Sequence, residues 1–415
     1  MIQTNDLKLI QQLFFKTHQG IIHLDKNTCG KNAIKFYYIN NPDKSIRWIF
    51  PANNDRPVFL DLYNNDGWKA KCYRMLMTGS YHLGIHSLFT SGSFFIDQQE
   101  LHFKQYFDDT SIKEYAIFTG TAGKNRKAII TLHQNKKCTQ FIKIPLTSNA
   151  QVLVQNEQQQ LQQLEKIQLN KMVTPKGKGN KHYLLLENIK PQSSITAHQF
   201  NDRHLLALNE CYENTFAQST PKRINAWQQI TDGIEFLQSN FHIQNEIPQK
   251  KIKIIRHHLN TIFQQVSSTT LFSVGLAHGD FTPWNMYETK EKIHVYDWEM
   301  STSDMPLLFD VFHYVFQSNI LIHRQPFDTI KKELHQLYKN PILQKILKKY
   351  SIHWSQHYAF YLLYIVSYYL PLYIRQQELH TQAHWLIDCW TEALVDLVRN
   401  EQFSTNRLAR IEKNN

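Results

Sequence analysis

The chain has 415 residues, 42% hydrophobic and 20% charged, a composition typical of a folded globular protein and not of a disordered chain. Lys and Arg exceed Asp and Glu by 11, but they occur in scattered pairs, so this charge does not indicate a specific nucleic-acid-binding arm. The five cysteines include no Cys-x-x-Cys pair, which argues against a disulfide framework and a zinc cluster and favours a reducing, cytoplasmic location.

Residues 1–110 alternate short apolar segments with turns rich in Asn, Asp and Pro. A helix is predicted near 5–15, followed by strands over 33–39, 45–50 and 57–63. No residue of this segment suggests chemistry by its type or spacing. We therefore interpret 1–110 as an N-terminal α+β extension of unassigned role.

Residues 111–191 have the pattern of a small β-rich domain. Three strands are predicted, over 115–118, 127–132 and 139–144. Thr147 can cap the helix that follows, because its side-chain oxygen can accept a hydrogen bond from the first helical turn. The predicted elements after this helix are a Gly- and Lys-rich turn, an apolar strand and a hinge, over 176–181, 183–186 and 187–191.

Residues 192–415 repeat apolar positions at helical spacing almost throughout, interrupted by short strands around Ala277 and Val295. One apolar stretch, 358–374, is about 17 residues long, which is the lower limit for crossing a bilayer. Its six tyrosines and Pro371 favour a buried helix of a large domain over a lipid-facing helix. The sequence therefore predicts a helical domain with no membrane span, and it carries no signal for an oligomeric state.

The residues that suggest chemistry lie at 278–297. His278-Gly-Asp280 follows an apolar strand, and Asn285 comes five positions after Asp280, the Asp-x-x-x-x-Asn spacing of a kinase catalytic loop. Phosphoryl transfer needs a carboxylate that orients or accepts the proton of the attacking hydroxyl, and Asp280 suits that role. It also needs hard oxygen ligands for magnesium, which Asn285 and the strand-end carboxylate of Asp297 can supply.

The segment 276–314 resembles the catalytic segment of the aminoglycoside phosphotransferase and choline kinase family, the small-molecule branch of the protein-kinase-like fold. Members of the family have the motif His-Gly-Asp-x-x-x-x-Asn, followed by an Asp beside an aromatic residue. Asp297-Trp-Glu matches the second part here. It also has a structural Asp at the start of a helix, which Asp310 matches. The resemblance implies an α+β bilobal fold and a phosphotransferase that uses ATP and Mg²⁺. On this basis 111–191 would be the nucleotide-binding small lobe with its hinge, and 192–415 the helical large lobe.

The resemblance also implies nucleotide-binding residues upstream. A small-lobe Lys should contact the nucleotide phosphates and a helical Glu should hold it, roles that match Lys143 and Glu157. Both also fit solvated surface positions when each is considered alone. The remaining expected nucleotide contacts are the glycines of the first hairpin and the backbone of the hinge at 187–189, represented by Gly120, Gly123, Asn188 and Ile189. The loop at 120–126 departs from the Gly-x-Gly-x-x-Gly of protein kinases, and a solvated hairpin tip is its alternative interpretation.

Two residues of the motif have alternative roles. His278 is placed with Asp280 among the catalytic residues, although hydrogen bonds to the backbone would also let it orient the loop without touching substrate. Trp284 would either pack beneath the loop or line the acceptor pocket, and we expect packing in the core.

The expected acceptor is a hydroxyl of a small molecule. Asp310 comes only 13 positions after Asp297, which leaves no room for the long activation segment of a protein kinase. A net charge of +11 suits a sugar, a polyol or a related metabolite better than a cationic aminoglycoside. Candidate acceptor-site residues by their place in the sequence are Asp304, His313 and Tyr314. A non-catalytic nucleotide-binding module, a protein kinase acting on a macromolecule, and GTP in place of ATP remain alternatives.

Overall fold

The structure is a computed structural model. It describes residues 2–15, 20–62, 68–98, 101, 112, 114–194, 199–240, 247–268, 271–376 and 378–412, with side chains up to residue 399. The chain forms two compact units: the first comprises Met1–Glu165 and Pro175–Ile189, and the second comprises Lys166–Thr174 and Lys190–Asn415. The first is β-rich and the second mostly helical, which confirms the predicted α+β class with a β-rich part followed by a helical part.

The first unit is built on one antiparallel sheet of eight strands. Its strands are β1 (Ala33–Asn40), β2 (Ile46–Pro51), β3 (Gly92–Asp97), β4 (Glu114–Phe118), β5 (Lys127–Gln134), β6 (Lys137–Pro145), β8 (Gly177–Asn180) and β9 (Tyr183–Glu187), in the order β3-β1-β2-β4-β5-β6-β9-β8. Strand β2 pairs with β4, through Trp48 opposite Phe118 and Ile49 opposite Ile117. Strands β1, β2 and β3 of the segment 1–110, which was interpreted as an N-terminal extension, therefore belong to the same sheet and compact unit as β4, β5, β6 and β9.

Helices cover both faces of the N-terminal strands. On β2, Ile49 belongs to the core that includes α1 (Thr4–Phe14), while its neighbours Trp48 and Phe50 belong to a second core that includes Met77 of α2 (Trp68–His82). This division follows from the strand period, since successive side chains point to opposite faces. The helix predicted near 5–15 is confirmed, whereas α2 was not anticipated from the sequence.

Two local predictions in this unit are wrong. The strand expected at 57–63 is a 3₁₀ helix, Val58–Leu62, in which three consecutive residues are buried and Phe59 stacks on Phe50 at 4.9 Å. Three buried neighbours in a row do not fit the alternation of a strand with one solvated face. The turn expected at 176–181 is mostly strand β8, which pairs with β9. A Cβ at Gly179 would lie 2.2 Å from the Tyr183 carbonyl oxygen, so glycine is what permits this close pairing.

The second unit contains eight helices within the described residues: α4 (Asp202–Thr215), α5 (Ala226–Ser239), α6 (Gln249–Ser267), α7 (Phe309–Gln317), α8 (Phe327–Tyr338), α9 (Pro341–Lys349), α10 (Trp354–Ile374) and α11 (Thr381–Glu412). Helix α10 contains the apolar stretch at 358–374 and packs on α5, α6, α7 and α11, which confirms the prediction of a buried helix. None of the described helices combines the length and apolar character needed to cross a bilayer.

Two small sheets of the second unit hold the predicted functional loops. One has the order β10-β11-β14, with strands Ala217–Ser219, Phe272–Ala277 and Thr302–Pro306. The other has the order β12-β13-β7, with strands Met286–Glu288, Ile293–Val295 and Met172–Val173. Strand β11 ends directly before His278, the β12–β13 hairpin separates Asn285 from Asp297, and β14 leads into α7. The short strands expected around Ala277 and Val295 are confirmed.

Candidate active site

The carboxylate of Asp280 is held at both of its oxygens. Asn285 Nδ2 donates to Asp280 Oδ2 at 2.9 Å and to the Asp280 carbonyl oxygen at 3.0 Å. His313 Nε2 donates to Asp280 Oδ1 at 3.1 Å, because a carboxylate can only accept. The five-residue spacing from Asp280 to Asn285 thus closes the loop on itself. It fixes the orientation of a partly exposed carboxylate.

The surroundings of Asp280 keep it ionised. Burial raises the pKa of this carboxyl, but the hydrogen bond from His313 and the electrostatic effects of His313 and His278 outweigh burial, so the pKa lies below its usual value. The negative charge of Asp297 acts in the opposite direction and raises it. Asp280 is therefore a carboxylate at neutral pH, able to accept a hydrogen bond or a proton from a nearby hydroxyl.

His278 is engaged by the backbone on both sides of its ring. Nε2 lies 3.0 Å from the Tyr296 carbonyl oxygen, and Nδ1 accepts from the Asp280 N–H at 3.2 Å. Nε2 therefore carries the proton and donates to the carbonyl. The ring is buried and packs edge-on against Trp298. With both nitrogens so engaged, His278 connects the loop of Asp280 to the segment before Asp297. These contacts fit the alternative in which His278 orients the loop, and its catalytic role stays a prediction.

Asp310 anchors the same loop from the start of α7. Its buried carboxylate accepts from the N–H of His278 at 2.7 Å and from the N–H of Gly279 at 3.0 Å. Gly279 has φ +81°, and a Cβ there would lie 2.3 Å from the Met300 carbonyl oxygen. Only glycine fits this turn, and the Asp310 carboxylate satisfies the two N–H groups that the turn leaves inside the protein.

Oxygen donors suited to a hard cation gather beside Asp280. Asp297 has a left-handed backbone, φ 67° and ψ 55°, and begins the short helix Trp298–Met300. Its carboxylate offers an oxygen within 4.8 Å of one from Glu299. The Asn285 amide donates through nitrogen, so its Oδ1 is the atom suited to a cation. Amide and carboxylate oxygens are the ligands that Mg²⁺ takes, and a cation here would offset the repulsion between Asp280 and Asp297. These residues fit the predicted magnesium site. The sequence prediction named Asn285 and Asp297, and the structure adds Glu299 beside them.

His313 lies on α7 and packs against two aromatic rings. Its ring stacks on Phe309, with centroids 5.9 Å apart and planes 11° apart, and it lies edge-on to Tyr361 at 6.2 Å. The side chain is buried, and among the described residues Nδ1 has no hydrogen-bond partner. The sequence suggested His313 only by proximity. A stronger signal was available, since Asp310 and His313 are three apart on one helix and so share a face.

Three other residues were considered for the acceptor pocket, and the structure places each in a different environment. Asp304 accepts from the N–H of Asn225 at 2.7 Å, so it supports the start of α5. Tyr314 is fully buried between Phe200 and Phe281. The expectation that Trp284 packs in the core is wrong, because 41% of it is exposed. Its carbonyl oxygen accepts from the Tyr296 hydroxyl.

In the first unit, the predicted Lys143–Glu157 pair is formed. Lys143 Nζ donates to both carboxylate oxygens of Glu157, at 2.8 and 2.6 Å, and both residues are buried. Strand β6 presents Lys143, and helix α3 (Ser148–Leu164) presents Glu157. Thr147 caps α3 as predicted, by accepting from the Ala150 N–H at 3.1 Å. A buried, paired lysine excludes the interpretation of Lys143 as a solvated strand residue.

The remaining expected nucleotide contacts are the glycines of the β4–β5 hairpin and the backbone of the hinge. Gly120 has φ +74°, and a Cβ there would lie 2.1 Å from the Lys127 carbonyl oxygen, whereas Gly123 has open space around it. At the hinge, the Asn188 N–H donates to the Thr139 carbonyl oxygen at 2.9 Å, and the Glu187 N–H donates to the Lys176 carbonyl oxygen at 3.0 Å. The predicted adenine contacts therefore cannot use these two N–H groups, and the hypothesis is confined to other backbone groups near Ile189.

Comparison with solved structures finds similarity, at low sequence identity, to kinases that act on small molecules. Solved structures to which it is similar include an ADP-bound aminoglycoside phosphotransferase, at 11% identity over 71% of this chain and 97% of that one, with a TM-score of 0.43. An amicoumacin kinase in complex with AMP-PNP and Ca²⁺ has 11% identity over 68% and 88%, with a TM-score of 0.42. A choline/ethanolamine kinase family protein from Mesorhizobium loti has 10% identity over 69% and 90%, with a TM-score of 0.41. No protein-family model and no curated protein sequence matches the chain.

Proposed function

We propose that the chain is an ATP- and Mg²⁺-dependent phosphotransferase that moves the γ-phosphate to a hydroxyl of a small molecule. The observation that carries this proposal is the fixed, ionised carboxylate of Asp280, held at one oxygen by Asn285 and at the other by His313. A catalytic base must be oriented before substrate arrives, and these two contacts orient it.

The loop residues divide the chemistry among them. Asp280 orients the acceptor hydroxyl and accepts its proton, while Asn285 and Asp297 hold Mg²⁺ through oxygen, with Glu299 beside them. Bound Mg²⁺ neutralises the charge that develops on the nucleotide phosphates. His278 and Asp310 fix the backbone that carries Asp280, so that the carboxylate keeps its position through turnover.

The nucleotide residues belong to the first unit. Lys143, held by Glu157, supplies a directed positive charge to the phosphates, as a lysine in this position does in kinases. The hairpin with Gly120 and Gly123 lies over the phosphates, and backbone groups near Asn188 and Ile189 meet the base. ATP is the proposed donor, with GTP as the alternative to be measured beside it.

The acceptor side of the site is rich in tyrosine. On α10, Tyr364 and Tyr368 stack with centroids 5.9 Å apart, and Tyr364 packs edge-on to Phe309, the residue that stacks on His313. Burial raises the pKa of Tyr369, and so does the negative charge of Asp280, which places this phenol in the electrostatic range of the base. Aromatic faces with phenol hydroxyls suit a sugar or polyol, which presents both C–H faces and hydroxyl groups.

Phosphate transfer measured with a matched pair of variants tests the proposal. The full chain is incubated with γ-labelled ATP or GTP, Mg²⁺ and pools of sugars, polyols and other hydroxyl metabolites. Asp280→Asn should lower transfer by about 10²–10⁴-fold, while Asp232→Asn, an exposed carboxylate of α5, should leave it unchanged. Thermal shifts with Mg²⁺-nucleotide should persist in both variants.

Three outcomes would contradict the proposal. If neither nucleotide raises the melting temperature in Mg²⁺, the chain is not a kinase. Nucleotide binding with no transfer across the pools would indicate a binding module. Transfer to proteins of a lysate in preference to the pools would indicate a protein kinase.

A further inference from the structure

Helix α2 has a second apolar face, directed at solvent. Its inner face contacts the β-rich unit through Tyr73, Met77 and Tyr81. The outer positions Trp68, Cys72, Met75, Leu76, Gly79 and Leu83 recur at spacings of three or four residues or continue that series past the helix end. Such spacing defines one stripe along a helix. We call these six residues the α2 stripe.

The α2 stripe is exposed to an unusual degree for its side chains. Exposed fractions are 72% for Trp68, 76% for Met75 and 73% for Leu83. The chain after the helix continues the surface, with Leu88 at 77% and Phe89 at 37%. Large apolar side chains gathered on one surface indicate a binding surface for another molecule, whereas single exposed apolar residues need no explanation.

Exposed lysines border the α2 stripe. Lys69 and Lys71 lie on the same helix, beside the stripe residues Trp68 and Cys72. Between residues 67 and 96 the sequence has no Asp or Glu. An apolar stripe bordered by lysines and containing a tryptophan has the composition of a helix that lies in the interface of an anionic lipid bilayer.

We propose that the α2 stripe, together with Leu88 and Phe89, docks the protein on an anionic lipid surface. The apolar side chains enter the boundary between headgroups and acyl chains, and the lysines remain among the anionic headgroups. Two copies of this chain meeting through the stripe would place the same cations against one another with no carboxylate in the segment to offset them. The charge therefore favours lipid over a second copy.

This docking is peripheral and independent of phosphotransfer, since α2 carries none of the residues proposed for catalysis. The sequence suggested no chemistry for the N-terminal segment, and this docking would give it the role of attaching the protein to a lipid surface. Phosphotransfer and lipid binding can therefore be tested separately.

Flotation of the full chain with vesicles tests the docking. Vesicles of phosphatidylcholine alone are compared with vesicles that contain about 30% phosphatidylserine, at low and high salt. We expect binding to the anionic vesicles that weakens with salt. Met75→Ser/Leu83→Ser/Leu88→Ser should lower it about tenfold or more, and Lys69→Glu/Lys71→Glu should lower it on the order of tenfold.

Matched controls separate this effect from unfolding. Val152→Ser and Leu271→Ser remove apolar side chains that are 63% and 50% exposed elsewhere, and should leave vesicle binding unchanged. All variants should keep the wild-type melting temperature within a few degrees. Cys72, the exposed cysteine of the stripe, provides a direct probe once the half-buried Cys29 and Cys138 are replaced by Ser. An environment-sensitive dye on Cys72 should shift to the blue on anionic vesicles.

Three results would overturn the proposal. The first is a failure to float with anionic vesicles at any salt concentration. The second is flotation that the stripe and lysine variants leave unchanged. The third is a dimer in solution that the stripe variants convert to monomer without any lipid binding, which would assign the surface to a second copy of the chain.

Discussion

His313 Nε2 lies 3.1 Å from Asp280 Oδ1, so a histidine of helix α7 supports the carboxylate at the centre of the candidate active site. Asp310, one turn earlier on α7, holds the backbone of the same loop through two N–H groups. One helix therefore fixes both the main chain and the side chain of the loop. Residues three apart on a helix share a face, which is what allows both contacts.

Replacing His313 should change catalysis more than nucleotide binding. His313→Phe keeps an aromatic ring against Phe309 but removes the donor to Asp280. We expect kcat to fall by about 10–100-fold with the KM for ATP unchanged, because an unheld carboxylate spends less time in the reactive orientation.

The pH profile separates this role from a purely structural one. Losing the His313 hydrogen bond should raise the pKa of Asp280, so the acid limb of kcat should move to higher pH in His313→Phe. His313→Gln can donate a hydrogen bond and should recover part of kcat. An equal loss in both variants with an unmoved acid limb would contradict the positioning role.

Breaking the Lys143–Glu157 pair should destabilise the first unit. Lys143→Met or Glu157→Gln alone leaves a buried group without its partner, and each should lower the free energy of unfolding by about 3–5 kcal/mol. Lys143→Met/Glu157→Leu removes both charges and should be more stable than the sum of the single losses implies. Urea unfolding followed by tryptophan fluorescence measures this, since Trp48 is buried in the same unit. Strict additivity of the two losses would show that the pair is not energetically coupled.

Gly279 and Gly84 allow backbone strain to be separated from steric overlap. Both have positive φ, +81° and +70°, but only at Gly279 would a Cβ meet another atom, the Met300 carbonyl oxygen. Gly84→Ala should therefore cost about 1 kcal/mol of stability, and Gly279→Ala should cost about 1–3 kcal/mol more and lower kcat. Chemical denaturation of the two variants measures the difference. Equal costs would mean that the loop relaxes away from Met300.

Acid should destabilise the helical unit through His357. This ring is buried between the carbonyl oxygens of His353 and Ser273, and burial lowers the pKa of His357 to about 4 although both carbonyls favour its protonation. Between pH 6.5 and 4 the unfolded chain binds a proton at His357 and the folded chain does not. Stability should therefore fall on acidification, by about 3 kcal/mol over that interval.

Urea midpoints between pH 7 and 4 check this prediction. His357→Gln should reduce the slope of stability against pH by about one proton, equivalent to about 1.4 kcal/mol per pH unit. Substitution of His335, an exposed histidine on α8, provides the control for losing a histidine as such. An unchanged slope in His357→Gln would assign the acid sensitivity to other groups.

Local spacing was sufficient to find the candidate catalytic loop. Asp280 and Asn285 close one short loop, so their five-residue separation is itself the contact, and Thr147 caps α3 within one turn. The Lys143–Glu157 pair was expected from the family resemblance, and the structure forms it between strand β6 and the helix that directly follows. Helix α10 could be recognised as buried because its tyrosines and Pro371 do not suit a lipid-facing helix.

Only the tertiary structure decided which distant residues share an environment. His313 reaches Asp280 because α7 returns to the loop, a packing choice that no local pattern encodes. The exposure of Trp284 was likewise not encoded by its neighbours in sequence. Pairing of β2 with β4 decided that strands of the N-terminal segment extend the sheet that contains β4, β5, β6 and β9. Tertiary packing also decided which face of α2 lies against the sheet. Sequence alone determined the identity and spacing of the candidate catalytic groups, since those contacts are local. Long-range packing decided what supports them and which apolar surface stays exposed.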